Sequence, residues 1–191
     1  MGSYYYLGAQ LPYLVYGQNP PMSSAAFKAL ASEQMSSTDA AGLDSCTLDP
    51  DPNQTGDTDL SYAEPPPHTH SSLINHWKEW ERTLRINLAR NRAHKLKREG
   101  NLAEAPAIPA DAAVVAKNAM TIESPLEAEL FLDKARWDAI GSFQGTDIFS
   151  EDAVYAYLLK LLLMERRTAF NAEEGFAEYK ELYTAILGEA K

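Results

Sequence analysis

Residues 71–100 read SSLINHWKEWERTLRINLARNRAHKLKREG and carry the longest helical pattern in the chain. Apolar residues recur there every three or four positions, which places them on one face of an α-helix. These residues are Leu73, Trp77, Trp80, Leu84 and Leu88. Ser71 can cap the start of this helix, and Gly100 stands where a helix C-cap is expected. We therefore predict a helix over residues 72–99, about 40 Å long at a rise of about 1.5 Å per residue.

Helix signals continue on both sides of this stretch, whereas strand signals are confined to residues 4–7 and 13–16. Serines that can cap helices, and periodic apolar residues, mark segments 23–34, 36–46, 110–119, 124–143, 150–171 and 172–187. In the segment from Ser150 to Asn171 the apolar residues surround the helix axis, which is typical of a buried central helix. The sequence therefore predicts an all-α protein.

The order of these segments predicts two helical lobes in an elongated, bundle-like molecule. The N-terminal lobe covers residues 1–100 and includes an acidic, proline-rich loop at 44–70. Residues 101–124 form a linker with one short helix, and residues 125–191 form the C-terminal lobe. The segment Glu81–Asn87 (ERTLRIN) resembles Glu165–Asn171 (ERRTAFN), so the lobes are either quasi-repeats or share only ordinary charge pairs on amphipathic helices.

The distribution of charge limits the partners that the chain can bind. The 191 residues carry a net charge of -10, which argues against nucleic acid as a partner because phosphate contact needs a positive surface. Residues 76–99 nevertheless hold eight Lys or Arg and only three acids. The partner-interface candidates there are Arg85, Arg90, Arg92, Lys95 and Arg98. Alternatively, this basic helix is a solvated face, or it neutralises the acidic loop within the chain.

Membrane and export signals are missing from the sequence. The longest apolar run, residues 154–164, is interrupted by Lys160 and is far shorter than the roughly 20 residues that span a bilayer. No basic residue precedes Lys28, so the N-terminus lacks the start of a secretory signal. Cys46 is the only cysteine and cannot form an intrachain disulfide. We expect a cytoplasmic protein that reaches a membrane only through a partner.

A search for catalytic patterns favours a protein that is not an enzyme and binds no cofactor. The stretch 49–53 resembles the start of a calcium loop but lacks the required Gly and Glu at the later positions. Glu64, His68, His70 and His76 could bind a metal, yet they are more typical of surface residues. Cys46 has no cationic neighbour to stabilise a thiolate. A small helical enzyme with a metal in the histidine loop remains an alternative.

The N-terminal stretch YYYLGAQLPYL, residues 4–14, resembles the opening of short, poorly characterised bacterial proteins encoded among V-type ATPase subunit genes. That family in turn resembles the socket component of the V-type ATPase central stalk, named C in bacteria and d in eukaryotes. Its helical lobes each carry a long helix with a Glu followed by Asn and Arg. Segments 81–87 and 165–171 look similar. The stalk socket has three lobes, whereas this chain has room for about two.

The resemblance implies a non-catalytic structural subunit at the inner face of the cell membrane. Its partners would be the proteolipid ring and the central D–F shaft, and it would couple the two in proton or other ion transport. A helical adaptor or assembly factor for the same complex is the alternative. The interface candidates at this end are Tyr4, Tyr5, Tyr6, Tyr13 and Tyr16, although tyrosines also pack in cores.

Overall fold

The computed structural model describes residues 4–48, 68–97 and 109–169. Within these ranges 72% of the residues are helical and none forms a strand, so the predicted all-α class is confirmed. The weak strand signal at 4–7 was misleading, because Tyr5, Tyr6 and Leu7 belong to the first helix. Residues 13–16 are neither helix nor strand.

Serine caps determine where most of the helices begin. The helices are α1 (Tyr5–Gln10), α2 (Ser24–Gln34), α3 (Ser37–Gly42), α4 (Ser72–Lys95), α5 (Ala110–Ala119), α6 (Pro125–Phe143) and α7 (Glu151–Ala169), with a 3-10 turn at Leu43–Ser45. Ser23, Ser36, Ser71 and Ser124 each accept a hydrogen bond from the backbone N–H three residues later. Such a bond satisfies a helix-terminal donor that has no partner inside the helix.

Helix α4 ends earlier than the sequence pattern predicts. The prediction extended it to residue 99, but the last helical residue is Lys95. The reason is backbone geometry, since Lys97 has a positive φ of 51° and a residue in that conformation cannot continue a right-handed helix. Arg92, His94 and Lys95 lie in the last turn, where cations complement the partial negative charge of a helix C-terminus.

The predicted core residues are buried, and α7 is the central helix. Trp77, Trp80, Leu84 and Leu158 each expose 1% or less of their surface. The two tryptophan rings stack with centroids 6.1 Å apart. Helix α7 packs against α2, α4 and α6. This position explains why its apolar residues surround the axis.

Helices from both predicted lobes share one hydrophobic core. The largest buried cluster includes residues of α2 and α4 together with residues of α6 and α7. The helices on the two sides of the predicted linker therefore pack together in the part of the chain that the structure describes. The division into two elongated lobes stays a prediction. Residues 49–67 of the acidic loop, residues 101–108 of the linker and the predicted helix at 172–187 lie outside the described residues.

Candidate interaction surface

Residues 4–16, here called the N-terminal segment, turn some side chains inward and others outward. Tyr4, Leu7 and Leu14 are buried in the core. Tyr5, Tyr6 and Tyr13 expose 63%, 73% and 90% of their surface, respectively. The five tyrosines that the sequence singled out are therefore divided: Tyr4 is buried, Tyr16 is half-buried and the other three are exposed.

Tyr4 anchors the start of this segment through its hydroxyl group. The hydroxyl donates a hydrogen bond to the carboxylate of Asp39 and accepts one from the backbone N–H of Ser36 at 3.3 Å. The bond from Tyr4 lowers the pKa of Asp39, because it stabilises the ionised carboxylate. His70 Nε2 lies 3.4 Å from the same carboxylate, and the Tyr155 hydroxyl donates to the Asp39 carbonyl at 2.8 Å. The Tyr4 hydroxyl therefore fixes the N-terminal segment to α3, and the Tyr155 hydroxyl joins α3 to α7.

Tyr16 anchors the other end of the segment against α6. It is half-buried, its hydroxyl donates to the Leu130 carbonyl at 3.0 Å, and its ring meets Trp137 edge-on at 5.5 Å. Lys134 and Arg167 also lie near this ring, at 5.6 and 5.2 Å from its centroid. Burial raises the pKa of Tyr16, so the phenol keeps its proton at neutral pH.

A cavity of about 410 Å³ lies between the N-terminal segment and helices α6 and α7, and we call it the aromatic cavity. Its aromatic lining residues are Tyr4, Tyr13, Tyr16, Trp137, Phe149 and Tyr157. Val15 and Ile148 also line it and are 39% and 61% exposed, so part of its rim is apolar surface open to solvent. Lys160 contributes a charged group, which the sequence had shown only as an interruption of an apolar run.

The basic residues of α4 are not all free to meet a partner. Arg85 is bonded inside the chain, to Glu81 at 2.8 Å and to the Leu48 carbonyl at 2.7 Å. Arg90 is half-buried, whereas Lys95 is exposed. Arg92 is 59% exposed, and its guanidinium lies 3.9 Å from Glu129. Arg98 lies outside the described residues. The accessible positive charge is therefore at the C-terminal end of α4.

A buried ionic cluster joins α4, α6 and α7, and sequence reasoning missed it. The ionic cluster consists of Glu81, Asp133, Arg136 and Arg166. Arg136 donates to both oxygens of Glu81, at 3.0 and 3.1 Å, and lies 3.3 Å from Asp133. Arg166 donates to the same oxygen of Asp133. Burial by itself would lower the pKa of Arg136, but the two carboxylates shift it upward.

The repeated Glu-Arg segments therefore have internal roles in this structure. Glu81 belongs to the ionic cluster, and Arg166 completes it from α7. Glu165 accepts a hydrogen bond from the backbone N–H of Ser24 at 2.6 Å, so it satisfies a donor at the start of α2. The signal in the sequence was the shared Glu-Arg pattern, which sequence reasoning assigned to possible repeats rather than to contacts between helices.

The three candidate metal-binding histidines that the structure describes belong to no group able to hold a metal ion. His70 lies beside Asp39, His76 contacts Ser72 at 3.3 Å, and His68 is exposed. Over the described ranges no group of three or more His, Cys, Asp or Glu side chains is arranged to hold a metal ion. Glu64 and the calcium-like stretch 49–53 lie outside these ranges. Burial raises the pKa of Cys46 to about 12, so its thiol stays protonated at neutral pH.

No protein-family model, curated protein or solved structure matches this chain. Among the helices that the structure describes, none has both the length and the apolar character needed to cross a lipid bilayer. The surface around the N-terminal segment combines exposed aromatic side chains, a cavity and nearby cations.

Proposed function

We propose that this protein is a non-catalytic structural subunit of a bacterial V-type ATPase that couples the membrane rotor ring to the central stalk in ion transport. The observation that carries the proposal is the outward orientation of Tyr5, Tyr6 and Tyr13. They belong to the same stretch, residues 4–14, that resembles the family encoded among the ATPase subunit genes. The stretch that carries this resemblance would then also be the one that meets the partner.

Exposed tyrosines favour this interpretation on energetic grounds. Covering a large aromatic ring that was exposed to water lowers the free energy of the complex. The side chain loses little entropy on binding because it has only two rotatable bonds. Tyr5 already packs on Phe149, with ring centroids 4.6 Å apart, so one side of its ring is ordered before binding. Aromatic residues of this kind are enriched at protein interfaces and often dominate the binding energy.

The C-terminal end of α4 offers a second contact for an acidic rotor subunit. Arg92 and Lys95 are exposed there, and Arg90 is half-exposed. Charges of this kind steer a partner toward the surface and mainly raise the association rate. Their contribution weakens as salt screens the electrostatic attraction, and the screening length is about 10 Å at 0.1 M ionic strength. We expect capture of the partner to be stronger at low salt.

The proposal is tested by purifying the tagged protein from its own membranes in mild detergent. We expect the ring and the central shaft to be recovered with the wild-type chain. The triple variant Tyr5→Ser, Tyr6→Ser, Tyr13→Ser should lose them. A matched control is Val114→Ser with Leu126→Ser, which removes two side chains that are 57% and 51% exposed on other helices. Wild-type protein recovered without these subunits at low salt contradicts the proposal, and so does equal recovery by the two variants.

A transient adaptor or assembly factor would use the same surface but would leave the finished enzyme. Deletion of the gene separates the two functions. A coupling subunit should be recovered in a fixed ratio to the other subunits. Its loss should abolish ATP-driven pumping while the soluble head retains ATPase activity. An assembly factor should instead be absent from the purified complex, and its loss should lower the amount of complex without uncoupling what remains.

A further inference from the structure

The aromatic cavity is lined by a lysine, Lys160, that forms no ion pair with any residue that the structure describes. Lys160, on α7, is half-buried and directs its ammonium group over the ring of Trp137, with Nζ 5.4 Å from the ring centroid. Among the described residues no carboxylate forms an ion pair with it, since the nearby Asp138 is bonded to Lys134 at 2.5 Å. Burial lowers the pKa of Lys160, because the apolar surroundings disfavour the charged form.

A second cation lies at the same face. The Arg167 guanidinium lies 5.2 Å from the centroid of the Tyr16 ring, which Lys134 also approaches, at 5.6 Å. In the part of the chain described here, Arg167 forms no ion pair. A protein with a net charge of -10 thus places two cations, each without an ion pair among the described residues, near the exposed tyrosines of the N-terminal segment. This local excess of positive charge is complementary to a carboxylate on a partner.

We propose that the aromatic cavity receives an acidic segment of a partner protein. The segment inserts one large apolar side chain beside Trp137 and places a carboxylate against Lys160. The inference rests on the proposed function only in taking the occupant to be a protein. It adds the chemistry of that partner: an Asp or Glu next to an aromatic or long aliphatic residue.

The geometry supports this occupant in two ways. The cavity volume of about 410 Å³ lies within the range of about 300–1,000 Å³ that is common for ligand sites, and its walls are mostly apolar. A carboxylate that reaches Lys160 forms a charge-assisted hydrogen bond in a partly desolvated place, where such bonds are stronger than in water. The exposed rim at Tyr13 and Ile148 is then covered by the same segment.

The test uses the purified full-length chain and two short peptides of equal shape. One is acetyl-Glu-Phe-Glu-amide, and the other is the uncharged acetyl-Gln-Phe-Gln-amide. Binding is followed by the NMR signal of the Trp137 indole N–H, with the buried indoles of Trp77 and Trp80 as internal references. We expect a saturable shift at Trp137 with the acidic peptide and binding of the uncharged peptide that is roughly tenfold weaker.

Variants at one position separate charge from packing. Lys160→Met should bind the two peptides equally, whereas Lys160→Arg should keep the preference for the acidic one. Lys117→Met, at an exposed lysine on α5, should behave as the wild type does. The proposal is overturned if the acidic peptide gives no saturable shift at Trp137, if the wild type binds both peptides equally, or if Lys160→Met retains the preference.

The peptide experiment and the recovery of rotor subunits can fail independently of each other. Rotor subunits recovered with the wild type, together with no peptide binding at the cavity, would leave the proposed function standing and overturn this inference. Peptide binding that depends on Lys160, without recovery of rotor subunits, would support the inference and reject the rotor as the partner.

Discussion

The ionic cluster and the aromatic cavity both involve α6 and α7, but they treat charge in opposite ways. In the ionic cluster, Arg136 meets two carboxylates and exposes 6% of its side chain. In the aromatic cavity, Lys160 has no carboxylate partner among the described residues, and neither has Arg167, which lies beside Tyr16. The first region neutralises its charges between helices, whereas in the second the described residues offer no carboxylate to the cations.

This difference separates structural charges from charges that can recognise a partner. A buried ion must be paired, since the free energy lost on leaving water is several kcal/mol per ion. The ionic cluster meets that requirement with groups from three helices, so its charges are used within the fold. A half-exposed cation keeps part of its hydration, so the folded protein tolerates it without an ion pair until a partner binds. The comparison therefore predicts large effects on folding at one site and small ones at the other.

The largest effect is expected for Arg136→Met. This change removes the cation that Glu81 and Asp133 share, while Arg85 and Arg166 stay beside them. Breaking a buried pair typically costs about 3–5 kcal/mol, so we expect a loss near the lower end of that range. Urea unfolding followed by circular dichroism should show the loss as a lower midpoint. The matched control is Arg92→Met, where the guanidinium is 59% exposed and should contribute less than about 1 kcal/mol. Equal midpoints for the two variants would show that the ionic cluster does not hold the helices together.

The sequence predicted the helices well because the signals for them are local. Ser124 followed by Pro125 marks the start of α6, and the cap and the first helical position need no distant contact. The ionic cluster was not predicted because Asp133 and Arg136 have the same spacing as an exposed pair on any helix. Only the packing of α6 against α4 brings Glu81 to them, and that contact joins residues 55 positions apart.

The candidate surface was predicted in part for the same reason. The tyrosines of residues 4–16 stand out in the sequence, but their burial depends on which side of α1 meets Phe149 and α3. Lys160 was visible as a break in an apolar run. Its position in the aromatic cavity could not be predicted, because the cavity depends on tertiary contacts. One of them is the hydrogen bond from the Tyr157 hydroxyl on α7 to the Pro12 carbonyl, at 2.9 Å, which holds the N-terminal segment over α7.

A smaller effect is expected beneath the N-terminal segment, at Gly42. A Cβ atom at this position would overlap the Tyr155 hydroxyl, which donates to the Asp39 carbonyl. Overpacking of this kind costs about 1–3 kcal/mol, so Gly42→Ala should lower the thermal midpoint. Gly141→Ala is the control, because its Cβ meets only Lys160 Nζ at 3.8 Å, and alanine favours a helix interior by about 0.5–1 kcal/mol. If Gly42→Ala stabilised the protein as Gly141→Ala does, the Tyr155 side chain would have to move away from the new Cβ without cost.

The anchor of the N-terminal segment should contribute less, and its contribution should depend on pH. Asp39→Asn weakens the bond from Tyr4 and should cost about 1 kcal/mol at neutral pH. The folded state lowers the pKa of Asp39, so this stabilisation is present above the unfolded pKa, near 4, and is lost as the pH falls through the lower folded value. The difference between the variant and the wild type should therefore shrink below about pH 4. Asp44→Asn, at a carboxylate that is 86% exposed, is the control and should give a small difference.

The smallest effect is expected at Lys160, and it has the opposite sign. Lys160→Met removes an ammonium that has no carboxylate partner among the described residues, and methionine can fill the same space. Because solvent screens a half-exposed charge, we expect a gain in stability of less than about 1 kcal/mol.

The folded state lowers the pKa of Lys160, so the cost of the charge is full at neutral pH and disappears as the pH rises to the unfolded value near 10.4. The gain should therefore be larger at pH 7 than at pH 10, whereas Lys117→Met should show no such gain. A loss of stability at pH 7 in Lys160→Met would mean that the ammonium already has a favourable partner within the chain. A gain in stability that accompanies loss of the preference for the acidic peptide would show that this lysine is kept for binding rather than for folding.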